Sequence, residues 1–209
     1  MAPSFSYPLP TIKADWLEEL YTVHIVDRAV VVDLASTSES PKAVLDGYDG
    51  AYLSLFETCG LFFPISDPVL NILAELGLSL TQMCPNFFRH LLALLVKARE
   101  EGLLFGLDEL RHLVLIKRNN QNTGTFLMSP RPGRQIVLGF MYHDQNWREE
   151  YFVIKIDEAS VGSFDFSKLP RYWAEDIVHS GRSSMTDGLQ GLIGALWTGR
   201  SDWSSFDHS

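Results

Sequence analysis

Four basic residues, Lys117, Arg118, Arg131 and Arg134, flank two stretches dense in turn formers, NNQNTG at 119–124 and PRPGRQ at 130–135. Arginine and lysine on exposed turns reach phosphate oxygens, and asparagine reaches base edges. Asn119, Asn120, Gln121 and Asn122 stand between the basic pairs. Phe126 and Tyr142, on the neighbouring apolar runs, could stack on bases if their sheet face were open. Against nucleic-acid contact, Asn-rich turns are ordinary turns, and aromatic residues in strands ordinarily pack a core.

The other polar residues do not assemble into a catalytic set. A two-metal nuclease needs converging carboxylates. Only Asp33, at the end of the β-branched run AVVVD, has a typical strand-end position, and no partner carboxylate has a recognisable context. An aspartic protease needs Asp-Thr/Ser-Gly, whereas Thr186-Asp187-Gly188 reverses the order and reads as a turn. Cys59, Cys84, His90 and His112 lack zinc-ligand spacing. Gly188, Gly191 and Gly194 recur every third residue, but no Lys-Ser/Thr follows, so they do not form a phosphate loop. No G-x-S-x-G elbow occurs. His90 borders an apolar helix face with no nucleophile beside it, and reads as a core-edge histidine. No catalytic, cofactor-binding or metal-ligating residue is assigned, and no cofactor is expected.

The elements that would position the basic turns follow from periodicity and capping. Residues 1–11 hold three prolines and read as a flexible tail. Asp15 is the expected N-cap of a short helix, with Glu18 as its capping-box partner. AVVVD (29–33) reads as a strand, and Asp46–Phe56 as a helix that Gly60 breaks. Asp67-Pro68 opens the next helix, with Asp67 as cap and Gly77 as terminator. Cys84-Pro85-Asn86 opens a longer helix carrying Phe87, Phe88, Leu91, Leu92, Leu94, Leu95 and Ala98, closed by Gly102. This is the expected central core helix, with Leu91 and Leu95 buried and Arg89, Lys97, Arg99 and Glu100 covering the remainder. Asp108 is the expected cap of a further short helix. HLVLIK (112–117), TFLMS (125–129), IVLGFMY (136–142) and YFVIKI (151–156) then read as a four-stranded meander. Leu169–Val178 and Asp187–Leu196 are weaker helix candidates.

Composition fits a globular α+β protein: 46% apolar and 21% charged residues in a chain of 209. The formal charge of −9 argues against a wholesale nucleic-acid-binding surface. It is uneven: residues 1–83 carry 3 Lys/Arg against 11 Asp/Glu, residues 84–155 carry 10 against 7, and residues 156–209 carry 4 against 8. Two cysteines are too few for a disulfide scaffold, and no Cys59–Cys84 bridge is expected. The opening MAPSFSYPLP has neither a basic n-region nor an apolar h-region, so an intracellular protein of nucleus or cytoplasm, without membrane association, is expected.

A Gly-aromatic-Pro strand end, a short helix, a Pro-started long helix, hairpins and a Trp-basic-acidic-aromatic strand follow one another between Tyr52 and Ile156, and this order resembles the plant transposon-protein domain, also termed the gypsy-type transposon domain. The resemblance rests on Gly60, Phe63 and Pro64, then on Leu70, Leu73 and Leu76. It continues in Pro85-Asn86 with Phe87-Phe88-Arg89, and in Trp147 with Tyr151-Phe152-Val153. Arg148 follows the Trp where that family carries Lys. The resemblance implies a domain of plant retroelement-like reading frames, often placed ahead of coiled coils, with no catalytic residues to carry over. It frames 12–156 as the transposon-protein-like α+β domain and 157–209 as a partly helical C-terminal extension. The expected architecture is a central apolar helix, a small antiparallel β-meander and peripheral helices. The expected function is a non-catalytic, retrotransposon-derived interaction domain with an unidentified protein partner. The alternative is a nucleic-acid-binding or nucleic-acid-processing protein of a plant mobile element.

Overall fold

The computed structural model describes residues 14–23, 26–36, 39–135, 137–138, 146–170 and 172–178, with residues 191, 193, 194, 201 and 202. Chain order is α1 (Ala14–Thr22), β1 (Val32–Asp33), β2 (Tyr48–Tyr52), α2 (Leu53–Glu57), α3 (Asp67–Leu76) and α4 (Pro85–Glu100). It continues with α5 (Leu107–Leu113), β3 (Val114–Arg118), β4 (Phe126–Pro130), β5 (Val137–Leu138), β6 (Tyr151–Lys155), α6 (Glu158–Val161) and β7 (Ser201–Asp202). Single 3-10 turns lie at Leu80–Gln82 and Phe166–Lys168. The fold is α+β.

Helix α4 is central, and its ends follow sequence logic. Cys84 is an extended N-cap and Pro85 opens the first turn, where its missing N–H costs nothing. Lys97 and Arg99 sit in the last turn, favourable for the helix dipole. Gly102, at φ +65°, reverses the chain, and the Leu103 N–H closes back onto the Ala98 carbonyl at 2.8 Å. Phe87, Phe88, Leu91, Leu94 and Ala98 are buried against α2, α3 and β4. Each large side chain among them contributes about 1.5–3 kcal/mol before chain entropy. Leu95, expected in this set, is half-exposed; Leu94 takes the inward position.

Arg89 was expected on the solvated face, yet it is buried. The α2 C-terminus crosses here, and its cap residue Thr58 presents a carbonyl that needs a donor. Arg89 supplies it: Nε donates to Thr58 O at 3.1 Å, Nη2 to Thr58 Oγ1 at 2.9 Å and Nη1 to Asn86 Oδ1 at 3.0 Å. His90 is also buried, with Nδ1 2.8 Å from the Asn86 carbonyl, and burial pulls its pKa down to about 4. It is a neutral core histidine at physiological pH.

The four-stranded meander is not what forms. HLVLIK and TFLMS do pair, as the β3–β4 hairpin with Val114 opposite Pro130 and Arg118 opposite Phe126. The third run contributes β5, which pairs in parallel with β7. The fourth, β6, leaves the hairpin and becomes the centre of an antiparallel sheet of order β1–β6–β2. Tyr151, Phe152, Val153 and Ile154 are all buried, so both faces of β6 are covered, and its buried backbone is paired by β1 on one edge and β2 on the other. Half of the expected 46–56 helix is strand β2. Gly50 lies under the Tyr151 ring, and a Cβ there would come within 2.5 Å of the Tyr151 oxygen.

The capping assignments shift by a residue or more. Ser66 and Gly106 are the N-caps of α3 and α5, and α1 begins at Ala14. Asp15, Asp67 and Asp108 instead occupy first turns, where a carboxylate acts on the helix dipole. Gly77 ends α3 at φ +70°, as expected. Residues 172–178 do not form the expected helix. The Val178 N–H donates to Leu76 O and Arg111 donates to Val178 O, both at 2.8 Å, which commits this backbone to neighbouring elements. The 187–196 candidate lies outside the described residues except for 191, 193 and 194, which are helical. Cys59 and Cys84 are both buried, and no disulfide joins them.

Candidate functional site

The hairpin spaces the four basic residues rather than clustering them. Lys117 and Arg118 stand at the end where Arg118 faces Phe126, whereas Arg131 and Arg134 follow the opposite end, beyond Pro130. Four residues of strand separate the two ends by about 14 Å. Arg118 pairs with Asp176 at 3.0 Å, and Arg131 Nε donates to the Arg111 carbonyl at 2.8 Å. Phe126 is buried and offers no stacking face; Tyr142 lies outside the described residues.

The Asn-rich turn is tied down by its own side chains. Asn119 Oδ1 accepts from the N–H groups of Gln121 and Asn122, at 3.0 and 3.2 Å. Arg148 Nη2 donates to Asn122 Oδ1 at 2.6 Å. Behind the turn Gln82, fully buried, acts as a polar hub. Its Nε2 donates to Gly124 O at 3.0 Å and to Ala174 O at 2.9 Å, while its Oε1 accepts from Ala174 N at 3.0 Å. Trp173 Nε1 donates to Thr81 Oγ1 at 2.8 Å, and its ring fills the space a Cβ on Gly124 would take. A polar cleft of about 450 Å³ opens here between Lys42, Arg118, Asn120 and Glu175. Its cations are engaged within the fold: Arg118 with Asp176, and Lys42 over the Trp173 ring, 5.6 Å from the centroid. This arrangement holds residues 172–176 against the hairpin.

A second concavity has different chemistry. Helix α4 carries an outward stripe, Leu92, Leu95, Val96 and Arg99, beside its inward one. Together with the 102–105 loop, Phe62 and the start of α3, it lines an apolar groove of about 560 Å³. Leu104 is 94% exposed, Phe62 64% and Val96 43%. Isolated exposed apolar residues are ordinary, but these border a single depression floored by half-buried leucines. Arg99 is the one charged side chain lining it and makes no ion pair among the described residues. Sequence reading merged both stripes of α4 into one core surface. The signal for the groove was there in the i, i+3, i+4 spacing of Leu92, Leu95 and Val96, and in Leu103-Leu104-Phe105 continuing apolar past the Gly102 stop.

Among the described residues, no group of three His, Cys, Asp or Glu side chains is arranged to hold a metal ion. Among the same residues, no helix is long and apolar enough to cross a membrane. No known protein-family model matches the chain, and no solved structure matches it. The chain is similar to an Arabidopsis thaliana protein described as uncharacterized and chloroplastic, 27% identical over 132 residues. The match covers 63% of this chain but 16% of that protein, so the chain spans a small part of the length of that relative.

Proposed function

We propose that this chain is a protein-interaction domain whose docking surface is the apolar groove beside α4, and that its occupant is an apolar segment of another protein. The observation that carries this reading is the joint exposure of Phe62, Val96 and Leu104 around one groove on the central helix. Covering the almost fully exposed Leu104 would contribute about 1.5–3 kcal/mol, and the partly covered Phe62 and Val96 proportionately less. The polar cleft at the hairpin is occupied by contacts that hold the fold together, whereas Phe62, Val96 and Leu104 leave large apolar surface exposed at the rim of the groove. A mobile-element origin belongs to the same proposal and is supported by the ordered residue set from Gly60 to Val153.

The test is a peptide-display selection on the folded chain, with a Val96→Asp, Leu104→Asp variant as the counter-target. Sequences with apolar anchors should be enriched on the parent chain and lost on the variant. Recovery of the same sequences on both proteins, with circular dichroism showing both folded, would place binding elsewhere and sink the reading.

A further inference from the structure

Resting on that docking reading, we infer that the occupant is an amphipathic α-helix carrying a carboxylate beside its apolar stripe. The elements lining the groove decide the backbone. They are helix α4, the 102–105 loop, and the connection from Phe62 to the first turn of α3. None of them is a strand, so an extended peptide would find no sheet edge to extend. A helix needs no such edge, because its main chain is already paired. The outward stripe of α4 runs eight residues from Leu92 to Arg99, seven rises or about 10 Å along the axis. Two turns of a partner helix, with apolar residues at i, i+3 or i+4, and i+7, match that length and can interdigitate with the i, i+3, i+4 ridges of α4.

The charge decides what flanks the anchors. Arg99 ends the stripe, exposed and with no ion pair among the described residues. A guanidinium presents a planar fork that takes a carboxylate in two parallel hydrogen bonds. A second copy of this chain meets the requirement poorly. An antiparallel pair of outward α4 stripes would bring Leu92 or Leu95 opposite Arg99, and neither is acidic.

The experiment uses the full chain and four labelled 18-residue peptides in fluorescence anisotropy at low and physiological salt. The first has leucines at i, i+3 and i+7 flanked by Glu; the second and third replace Glu with Gln or Lys; the fourth is the Glu peptide with a central Pro. The Glu peptide should bind about fivefold tighter than the Gln peptide, the upper range for an exposed ion pair. The Lys peptide should be weaker than both, and the Pro peptide should not bind. Arg99→Gln should abolish the Glu–Gln difference. Equal binding of the Glu and Gln peptides would overturn the acidic assignment and leave the docking reading standing. Undiminished binding of the Pro peptide would overturn the helix. No binding by any peptide would overturn the inference, and a dimer in sedimentation that dissociates on Leu104→Asp would assign the groove to a second copy.

Discussion

Asp49 to Asn is the substitution whose effect the structure specifies most fully. Asp49 lies on β2 opposite Ile154 of the central strand, and is 7% exposed. One N–H, that of Gly50, donates to its carboxylate at 2.8 Å, and no cation pairs with it among the described residues. The nearby Tyr151 hydroxyl donates elsewhere, to the Ser40 carbonyl at 3.2 Å. Burial therefore dominates the single N–H and pushes the Asp49 pKa up to about 7. The unfolded chain restores a value of about 3.9. Between those two values the native state holds a proton that the unfolded state has lost, so stability falls as pH rises. Three pH units at about 1.36 kcal/mol each give a ceiling of about 4 kcal/mol, a large share of the 5–15 kcal/mol typical of a domain. His90 acts in the opposite sense. Its folded pKa of about 4 makes stability rise from about pH 4 to 6.5, so in the parent chain the two slopes largely cancel. Asp49→Asn removes one of them and leaves every other titration in place. Urea melts from pH 4.5 to 8.5 should show the variant gaining on the parent by about 1 kcal/mol per pH unit, with a plateau above pH 7.5. The second amide N–H of Asn adds a pH-independent cost of about 1 kcal/mol, which shifts the difference curve without tilting it. A difference that does not vary with pH, or a carboxyl carbon of Asp49 titrating near pH 4 by NMR, would refute the argument.

Leu94→Ala should cost about 2–5 kcal/mol in chemical denaturation, while Leu95→Ala should cost about 1 kcal/mol, because Leu94 is buried and Leu95 lines the groove. Equal costs would mean that α4 is rotated from its described position. Gly124→Ala should lower the melting temperature and change tryptophan fluorescence. Gly124 sits at φ +88°, and an added Cβ would lie 2.7 Å from the Trp173 ring, so strain of about 1–2 kcal/mol adds to displacement of the indole. Unchanged fluorescence and stability would show that Trp173 does not pack there. Both cysteines should be inert to a thiol reagent at pH 8 until urea unfolds the chain, since both are buried and burial raises the Cys84 pKa. Rapid modification of the native protein would contradict their placement.

What the sequence made legible is what local chemistry controls. The start of α4 at Cys84-Pro85, its stop at Gly102, the end of α3 at Gly77 and the β3–β4 hairpin each depend on residues a few positions apart. The partners of β6 do not. Tyr151–Lys155 pairs with strands about a hundred residues upstream, and adjacency in sequence pointed to the hairpin instead. A run such as YFVI reports that both faces are covered without naming what covers them. Gln82 was passed over for the same reason. Its hydrogen bonds reach Gly124 and Ala174, 42 and 92 residues away, and a lone glutamine in a polar turn carries no periodic signal. The four basic residues show the converse error: closeness in sequence suggested a cluster, while an extended hairpin holds its two ends apart.

The groove follows from the same distinction between a helix's own pattern and its neighbours. A helix apolar over much of its circumference can be central to one core, or can face a core on one side and a partner on the other. Its sequence is the same in both cases. In α4 the arrangement of neighbours separates the two: α2, α3 and β4 take the face of Phe87, Leu91 and Leu94, and Leu92, Leu95 and Val96 are left to line an open groove. If that second face served only the fold, polar substitutions at Val96 and Leu104 would be close to neutral or mildly stabilising, and nothing would select against them but a partner. That is why groove variants that keep their stability while losing a bound helix bear on function, whereas the inward residues of the same helix can report only on folding.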